Sequence, residues 1–375
     1  MSSSTDSRPK LAILTNILAP YRVPIFERLT ERFEVSVLYS GREGNRDKWR
    51  GLEHAVHGFS LKRSKGYTFT WSKRDGSTAL DTRYLHVNPG LIADLLSLRP
   101  DAIVTDEMGF RTLVALIYGR LFECPVWVWW GGTRHTERGI GLLKRTLRQR
   151  LARHVPRWFS YGVTSTEYLT SLRVKPESVV ELQNCVPEDR FLEPLAPAFH
   201  LEPRPVLLCV GRLVPGKGVD LLLRAAARLQ GEGHTFSLLV VGDGPERHTL
   251  ERLTATLGLR NVHFQPALPA EAVAGVYRSG DALVFPTLDD VWGLVVNEAL
   301  WCGLPSLVSI YAGCARELVP SASTFDPLDP ADFTTRLRMA VTGNLPSPDL
   351  TRLRRIDEVS GLILRELDAI PRGGR

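Results

Sequence analysis

The chain alternates short apolar runs with segments whose apolar residues recur at helical spacing, and it does so twice. In the first half the runs fall at 11–14, 35–38, 102–104, 126–130 and around Val163. They read as strands of a parallel αβ layer, each followed by a helix. The stretch 187–205 is aperiodic and holds five prolines, which marks it as a linker. Beyond it the alternation resumes with runs at 205–210, 238–241 and 281–286. A length of 375 residues suits two domains that each bury a core. The expected division is 1–187, a linker at 188–204, a second domain at 205–348 and a closing segment at 349–375, of which 349–370 reads as a helix.

Two motifs in the second half carry chemistry. In Asp290-Val-Trp-Gly-Leu-Val-Val-Asn-Glu-Ala-Leu-Trp-Cys-Gly, two carboxylates stand eight positions apart across a strand-to-helix corner. The preceding run ends at Pro286, and from Gly293 the apolar residues take helical spacing until Gly303-Leu-Pro stops them. Asp290 therefore precedes the helix and Glu298 lies on its second turn. A phosphate near Gly293 and Leu294 would meet unpaired N–H groups at the positive end of the helix dipole. The other motif, Val210-Gly-Arg-Leu-Val-Pro-Gly-Lys-Gly, sets Arg212 and Lys217 on a glycine-rich strand-to-helix loop. Basic loop residues are ordinarily just solvated; placed ~80 residues ahead of the paired acids, these two gain meaning from their order.

Together the motifs resemble the donor-site signature of family-four retaining glycosyltransferases, which usually show Glu, seven residues, Glu. Here Asp290 fills the first place and Glu298 the second. The resemblance implies an α/β chain of GT-B architecture, two Rossmann-like domains facing across a cleft, the first binding the acceptor and the second a nucleotide sugar. It also implies residue roles. Arg212 and Lys217 hold the diphosphate and stabilise the charge left when the glycosidic phosphate bond breaks. Asp290 addresses sugar hydroxyls and leaves affinity for the bare diphosphate to others, whereas Glu298 binds ribose hydroxyls. Gly293 and Leu294 meet phosphate, and main-chain groups near Gln265 and Ala267 meet the nucleobase. The turn Gly242-Asp-Gly matches the family's Gly-x-Gly, and reads equally as a βα corner whose glycines serve tight φ/ψ. Residues 311–319 resemble the small-residue turn that closes the donor pocket, with Cys314 as filler. Arg22, in the loop after the first strand, reaches phosphate or sugar unless it is a surface residue. Where the family often has His or Glu at a strand end, this sequence has Gly131 and Gly132, which leaves His135 as the nearest ionisable catalytic candidate. A side-chain base is dispensable if the departing phosphate takes the acceptor's proton.

The expected function is retaining transfer of a hexosyl group from a nucleoside-diphosphate sugar, a UDP-sugar, to a hydroxyl of a glycan or lipid-linked saccharide in cell-surface polysaccharide or glycolipid synthesis. No cofactor or metal is expected, because two cations and a helix N-terminus supply the compensating charge and no Asp-x-Asp motif occurs. A nucleotide-sugar epimerase and a non-catalytic partner subunit are the alternatives on the same architecture.

The net charge of +6 is modest, but 134–157 holds eight Arg and Lys against one acid, Glu137. Ile140, Leu143, Leu147, Leu151 and Val155 recur every three or four residues along it, which makes 140–157 a basic amphipathic helix. Either its apolar stripe packs inward and leaves the cations solvated, or its cationic face meets an anionic membrane surface. Nucleic acid is not an expected partner, since no recognition motif accompanies the charge. Five cysteines without close pairs, Cys124, Cys185, Cys209, Cys302 and Cys314, support neither a disulfide framework nor a zinc site. The longest apolar region, 113–130, is interrupted by Arg120 and Glu123, and the N-terminus lacks an apolar signal core. A cytoplasmic protein, peripheral on the inner face of the cell membrane, is the expectation.

Overall fold

The computed structural model describes residues 8–41, 43, 56–75 and 78–368, with backbone alone at 71–75 and 78–83. Its contacts divide the chain into two compact units. The first comprises Met1–Ser72, Thr82–Gln183 and Arg355–Arg375, and the second Asn184–Arg354 with Lys73–Asp81.

In the first unit the strands are β1 (Lys10–Thr15), β2 (Glu34–Tyr39), β3 (Ser60–Arg63), β6 (Ala102–Asp106), β7 (Val126–Trp130), β8 (Arg157–Ser160) and β9 (Val179–Glu181), together with the greater part of the paired strands β4 (Tyr67–Asp75) and β5 (Thr78–Val87). Seven of them form one sheet in the order β3-β2-β1-β6-β7-β8-β9, parallel throughout. Helices bury its faces, as a sheet that reads apolar on both sides demands. Leu91 and Leu95 of Gly90–Leu98 and Val114, Ala115 and Tyr118 of Phe110–Leu121 pack on Ala12, Leu14 and Ile103. The strand expected around Val163 lies earlier, at β8. There Trp158 and Phe159 pair with Val128 and Trp129, and Val163 instead opens the helix Val163–Ser171 behind Gly162. The closing helix is Ile356–Asp368, shorter than 349–370, and Ile370 lies outside the described residues. Within this unit the helix packs on Val23–Leu29, where Arg28 Nε meets Asp357 Oδ1 at 2.8 Å.

In the second unit β10 (Val206–Val210), β11 (Ser237–Val241), β12 (Val262–Gln265), β13 (Ala282–Phe285), β14 (Ser306–Ser309) and β15 (Thr324–Phe325) form a parallel six-stranded sheet ordered β12-β11-β10-β13-β14-β15. The helix Val219–Gly231 shows why the sequence folds this way. Val219, Leu222, Leu223, Ala226 and Leu229 recur at three- and four-residue steps and are all buried on the sheet. Burying each leucine contributes roughly 1.5–3 kcal/mol before entropy is counted. Residues 188–204 are not a free tether, since Phe191 packs edge to face on Tyr277 and Ala198 N donates to Gly275 O at 2.9 Å.

Both sheets share one topological feature. The chain builds outward from a central strand, β1 or β10, then returns to that strand's other side with β6 or β13. Loops leaving the carboxyl ends of the two central neighbours diverge at this switch point and open a crevice, where ligands of such sheets bind.

Candidate active site

At the switch point of the second unit, the loops after β10 and β13 enclose a small pocket. It is lined by residues that include Gly211, Arg212, Lys217, Phe285 and Pro286. The two motifs meet beside it. Lys217 Nζ donates to Asp290 Oδ2 at 2.5 Å, across 73 positions of sequence. Both side chains retain about a fifth of their surface, 23% and 20%. The Phe285 ring lies 5.7 Å below the ammonium. Asp290 is fixed from its other side as well: Trp292 N donates to Oδ1 at 3.1 Å, and Gly313 N donates to the Asp290 carbonyl at 3.1 Å.

Glycine makes this meeting possible. Gly218 has φ +64°, and a Cβ there would stand 2.2 Å from the Pro286 carbonyl oxygen. Leu288 N and Thr287 Oγ1 both donate to Gly216 O, at 2.8 and 3.2 Å, so the lysine loop is tied to the acid loop through backbone. Arg212, exposed at the mouth, rides on the Gly242-Asp-Gly turn in the same manner. A Cβ on Gly242 would lie 1.8 Å from Gly211 O, and Leu213 N donates to Asp243 O at 2.9 Å. The turn's glycines therefore serve close backbone approach more than φ alone.

Gly293 caps the helix Leu294–Trp301 in the left-handed region at φ 103°, with no side-chain cap. Its N–H and that of Leu294 donate to no described residue. Cys314 is a filler here: wholly buried, it packs beneath Gly293, and burial together with the charge of Asp290 holds its thiol well above the ordinary value. Glu298 is half-buried on the second turn of the helix and accepts from Tyr277 Oη at 2.5 Å. Burial pushes its carboxyl up to about 7, against the opposing pull of that hydrogen bond.

Several expected positions are occupied differently. The main chain at Gln265 and Ala267 is already engaged: Gly242 N donates to Gln265 O at 2.9 Å, and Ala267 N donates to Asp243 Oδ2 at 3.2 Å. That N–H is taken up in bracing the glycine turn. Arg22 is not a surface residue. It lies buried in the first unit, ion-paired to Asp106 at 3.3 Å, bonded to Tyr161 and stacked 4.5 Å over Trp129. Asp106 also takes Arg111 at 2.9 Å and Thr15 Oγ1 at 2.7 Å, so this cluster sits at the first unit's own switch point, after β1 and β6. His135 is half-exposed in the loop after β7. Gly131 and Gly132 before it are held by Tyr161 and Trp130, whose rings a Cβ would strike at 2.6 and 2.5 Å.

The basic helix is observed as Leu142–Ala152, and its apolar stripe packs inward only at the far end, at Leu151 and, beyond the helix, Val155. Leu142, Leu143 and Leu147 face outward, at 83%, 77% and 50% exposed. Arg148 turns inward instead, pairing with Glu137 and stacking 4.9 Å over Trp130.

Three participants escaped the sequence reading. Tyr277, which holds Glu298, sits in an unremarked helix of five residues. Trp292 and Asn297 are buried together, Trp292 Nε1 donating to Asn297 Oδ1 at 2.9 Å while Asn297 Nδ2 donates to Asn184 O at 3.2 Å. Their presence inside the acidic motif was the available signal.

Residues 196–352 match the family described as Glycosyl transferases group 1. Over 142 residues the chain is 35% identical to the GDP-mannose-dependent alpha-(1-6)-phosphatidylinositol monomannoside mannosyltransferase of Mycolicibacterium smegmatis, covering 36% of this chain and 37% of that one. It is 25% identical over 281 residues to sulfoquinovosyl transferase SQD2 of Arabidopsis thaliana, covering 68% and 52%. The chain thus spans 37% and 52% of the length of these curated relatives. Among solved structures, Anabaena HepE in complex with UDP superposes with a TM-score of 0.70 at 15% identity, over 96% of this chain and 100% of that one. The chain has the GT-B fold of two Rossmann-like domains, and the stretch similar to the group 1 glycosyltransferases lies within its second unit.

Proposed function

We propose that the protein is a retaining glycosyltransferase that moves a hexosyl group from a nucleoside-diphosphate sugar, a UDP-sugar, to a hydroxyl of a glycan or lipid-linked saccharide in cell-surface polysaccharide or glycolipid synthesis. The observation that carries this reading is the 2.5 Å contact of Lys217 with Asp290, beside the pocket at the switch point of the second unit. A diphosphate there has Lys217 and Arg212 within one loop and a glycine-opened helix N-terminus after β13. The sugar then falls to Asp290 and the ribose to Glu298. As the bond from the anomeric carbon to the phosphate oxygen breaks, the two cations stabilise the leaving diphosphate. The acceptor hydroxyl attacks the same face, its oxygen bonds to the anomeric carbon, and its proton passes to the departing phosphate oxygen. His135 holds the remaining candidacy for a side-chain base.

UDP is favoured because the HepE structure that shares the fold holds UDP. The mannosyltransferase relative is described as GDP-mannose-dependent, so both bases belong in the test. Among the described residues no helix is long and apolar enough to cross a membrane. The exposed leucines of Leu142–Ala152, beside Lys144 and Arg145, support work at an anionic membrane surface on the cytoplasmic side.

The experiment is a thermal-shift panel of UDP, GDP, ADP and TDP with their sugars, followed by turnover of the tightest donor with the anomeric configuration read by NMR. Product of inverted configuration, or no stabilisation by any nucleotide, sinks the proposal.

A further inference from the structure

We infer that Tyr277 positions Glu298 for the ribose, and that through this contact the site selects ribonucleoside over deoxyribonucleoside diphosphates. The inference rests on the donor role proposed above for Glu298. Tyr277 ends the helix Val273–Tyr277 and is wholly buried, so its phenol must place its proton on a neighbour, and Glu298 Oε2 at 2.5 Å receives it. The ring is held in turn. Phe191 packs against it edge to face, with centroids 6.2 Å apart and planes at 71°. The next residue, Arg278, clamps the same segment by donating Nη2 to the carbonyls of Phe191 and Glu193, at 3.0 and 2.7 Å. Tyr277 is thus immobile on the side away from Glu298.

A glutamate on a helix surface samples several rotamers and spends binding energy on choosing one. Here one oxygen is pinned by a rigid phenol, which fixes the plane of the carboxylate. Oε1 accepts from no described residue and stays available. A single oriented acceptor suits vicinal hydroxyls, and it has nothing to bind on a sugar that lacks them. Discrimination of this kind is large because the polar group is left unpaired by the wrong ligand. Tyr277 touches no substrate in this scheme; it acts through Glu298.

The test uses the full chain and calorimetric affinities for whichever of UDP, GDP or ADP binds, each against its 2′,3′-dideoxy counterpart. The parent is expected to prefer the ribonucleotide roughly tenfold to hundredfold, and Glu298→Gln to lose most of that preference. Tyr277→Phe keeps the ring and its packing on Phe191. It should cut the preference by roughly threefold to tenfold through the ribonucleotide alone, leaving dideoxy affinity within about twofold. The double variant should discriminate no worse than Glu298→Gln, which a general loosening of the fold would not produce. Melting curves set a temperature at which every variant is folded. Undiminished preference in Tyr277→Phe, or equal weakening of both ligands, overturns the positioning role and leaves Glu298 its own. Unchanged preference in Glu298→Gln removes the ribose contact itself, and the inference falls with the donor reading.

Discussion

Asp290→Asn separates two accounts of the acid at the heart of the site. If Asp290 touched only the transferred sugar, its loss would leave affinity for a bare nucleoside diphosphate unchanged. The structure instead sets its carboxylate on Lys217 at 2.5 Å, so an arriving diphosphate competes with Asp290 for the ammonium and is repelled by it. At that separation Coulomb's law with an effective dielectric of 20 gives about 7 kcal/mol before desolvation. Both side chains keep about a fifth of their surface, which admits screening, and exposed pairs are worth at most about 1 kcal/mol. A net worth on the order of 1–2 kcal/mol follows for this intermediate case. Part of it is recovered by the ligand, so Asp290→Asn should tighten the bare diphosphate roughly threefold to tenfold. Its salt dependence should steepen too, since the local charge rises by one. Turnover with the nucleotide sugar should fall by more than about a hundredfold, the sugar contact being lost where the ring gains positive character. Calorimetry with and without the sugar, at two ionic strengths, reads all three. An unchanged or weakened diphosphate affinity would refute the competition, and unimpaired turnover would remove Asp290 from the chemistry.

Three further outcomes are expected. Equilibrium affinity for the diphosphate should agree within about twofold with and without a chelator, since Arg212 and Lys217 supply the countercharge; binding that appears only with added magnesium or manganese contradicts their assignment. Burial pushes Glu298 up to about 7 from an ordinary value of 4.5, so the folded chain holds the extra proton between these values, and the stability of the neutral form is lost as pH rises through the higher one. Glu298→Gln should therefore raise the melting temperature relative to the parent at about pH 8.5 and much less at about pH 5, and a difference independent of pH would argue against a desolvated acid. On the basic helix, Lys144→Gln with Arg145→Gln should weaken salt-sensitive sedimentation with anionic vesicles at unchanged stability, whereas Arg148→Gln should cost about 3–5 kcal/mol by stranding Glu137 in denaturation curves. Vesicle binding that ignores both surface cations would return the helix to a structural role.

What was legible in the sequence is what local patterns encode. β1, β2, β6, β7, β10, β11 and β13 announced themselves as continuous apolar runs, and the corner after β13 as an acid, a glycine and a helical repeat. β8 was missed because Arg157-Trp-Phe-Ser holds only two adjacent apolar residues, too few to register as a run. Periodicity along 140–157 located a stripe but not its direction. The interior offers Arg148 a carboxylate, a phenol and an indole, from Glu137, Tyr168 and Trp130, so an arginine takes the inward place while Leu142, Leu143 and Leu147 face outward.

The pairing of Lys217 with Asp290 belongs to a different level. It depends on β10 and β13 being neighbours across the switch in strand order, which no spacing along the chain announces. It depends further on Gly218 and Gly242, where any side chain would collide with the carbonyls of Pro286 and Gly211. Read as turn formers, these glycines carry no news of what lies opposite. In the folded chain they bring backbone onto backbone and so fix the loops that bear Arg212 and Lys217. The charges are placed by contacts that contain no side chain on one side, and this is why the motifs were readable while their geometry was not.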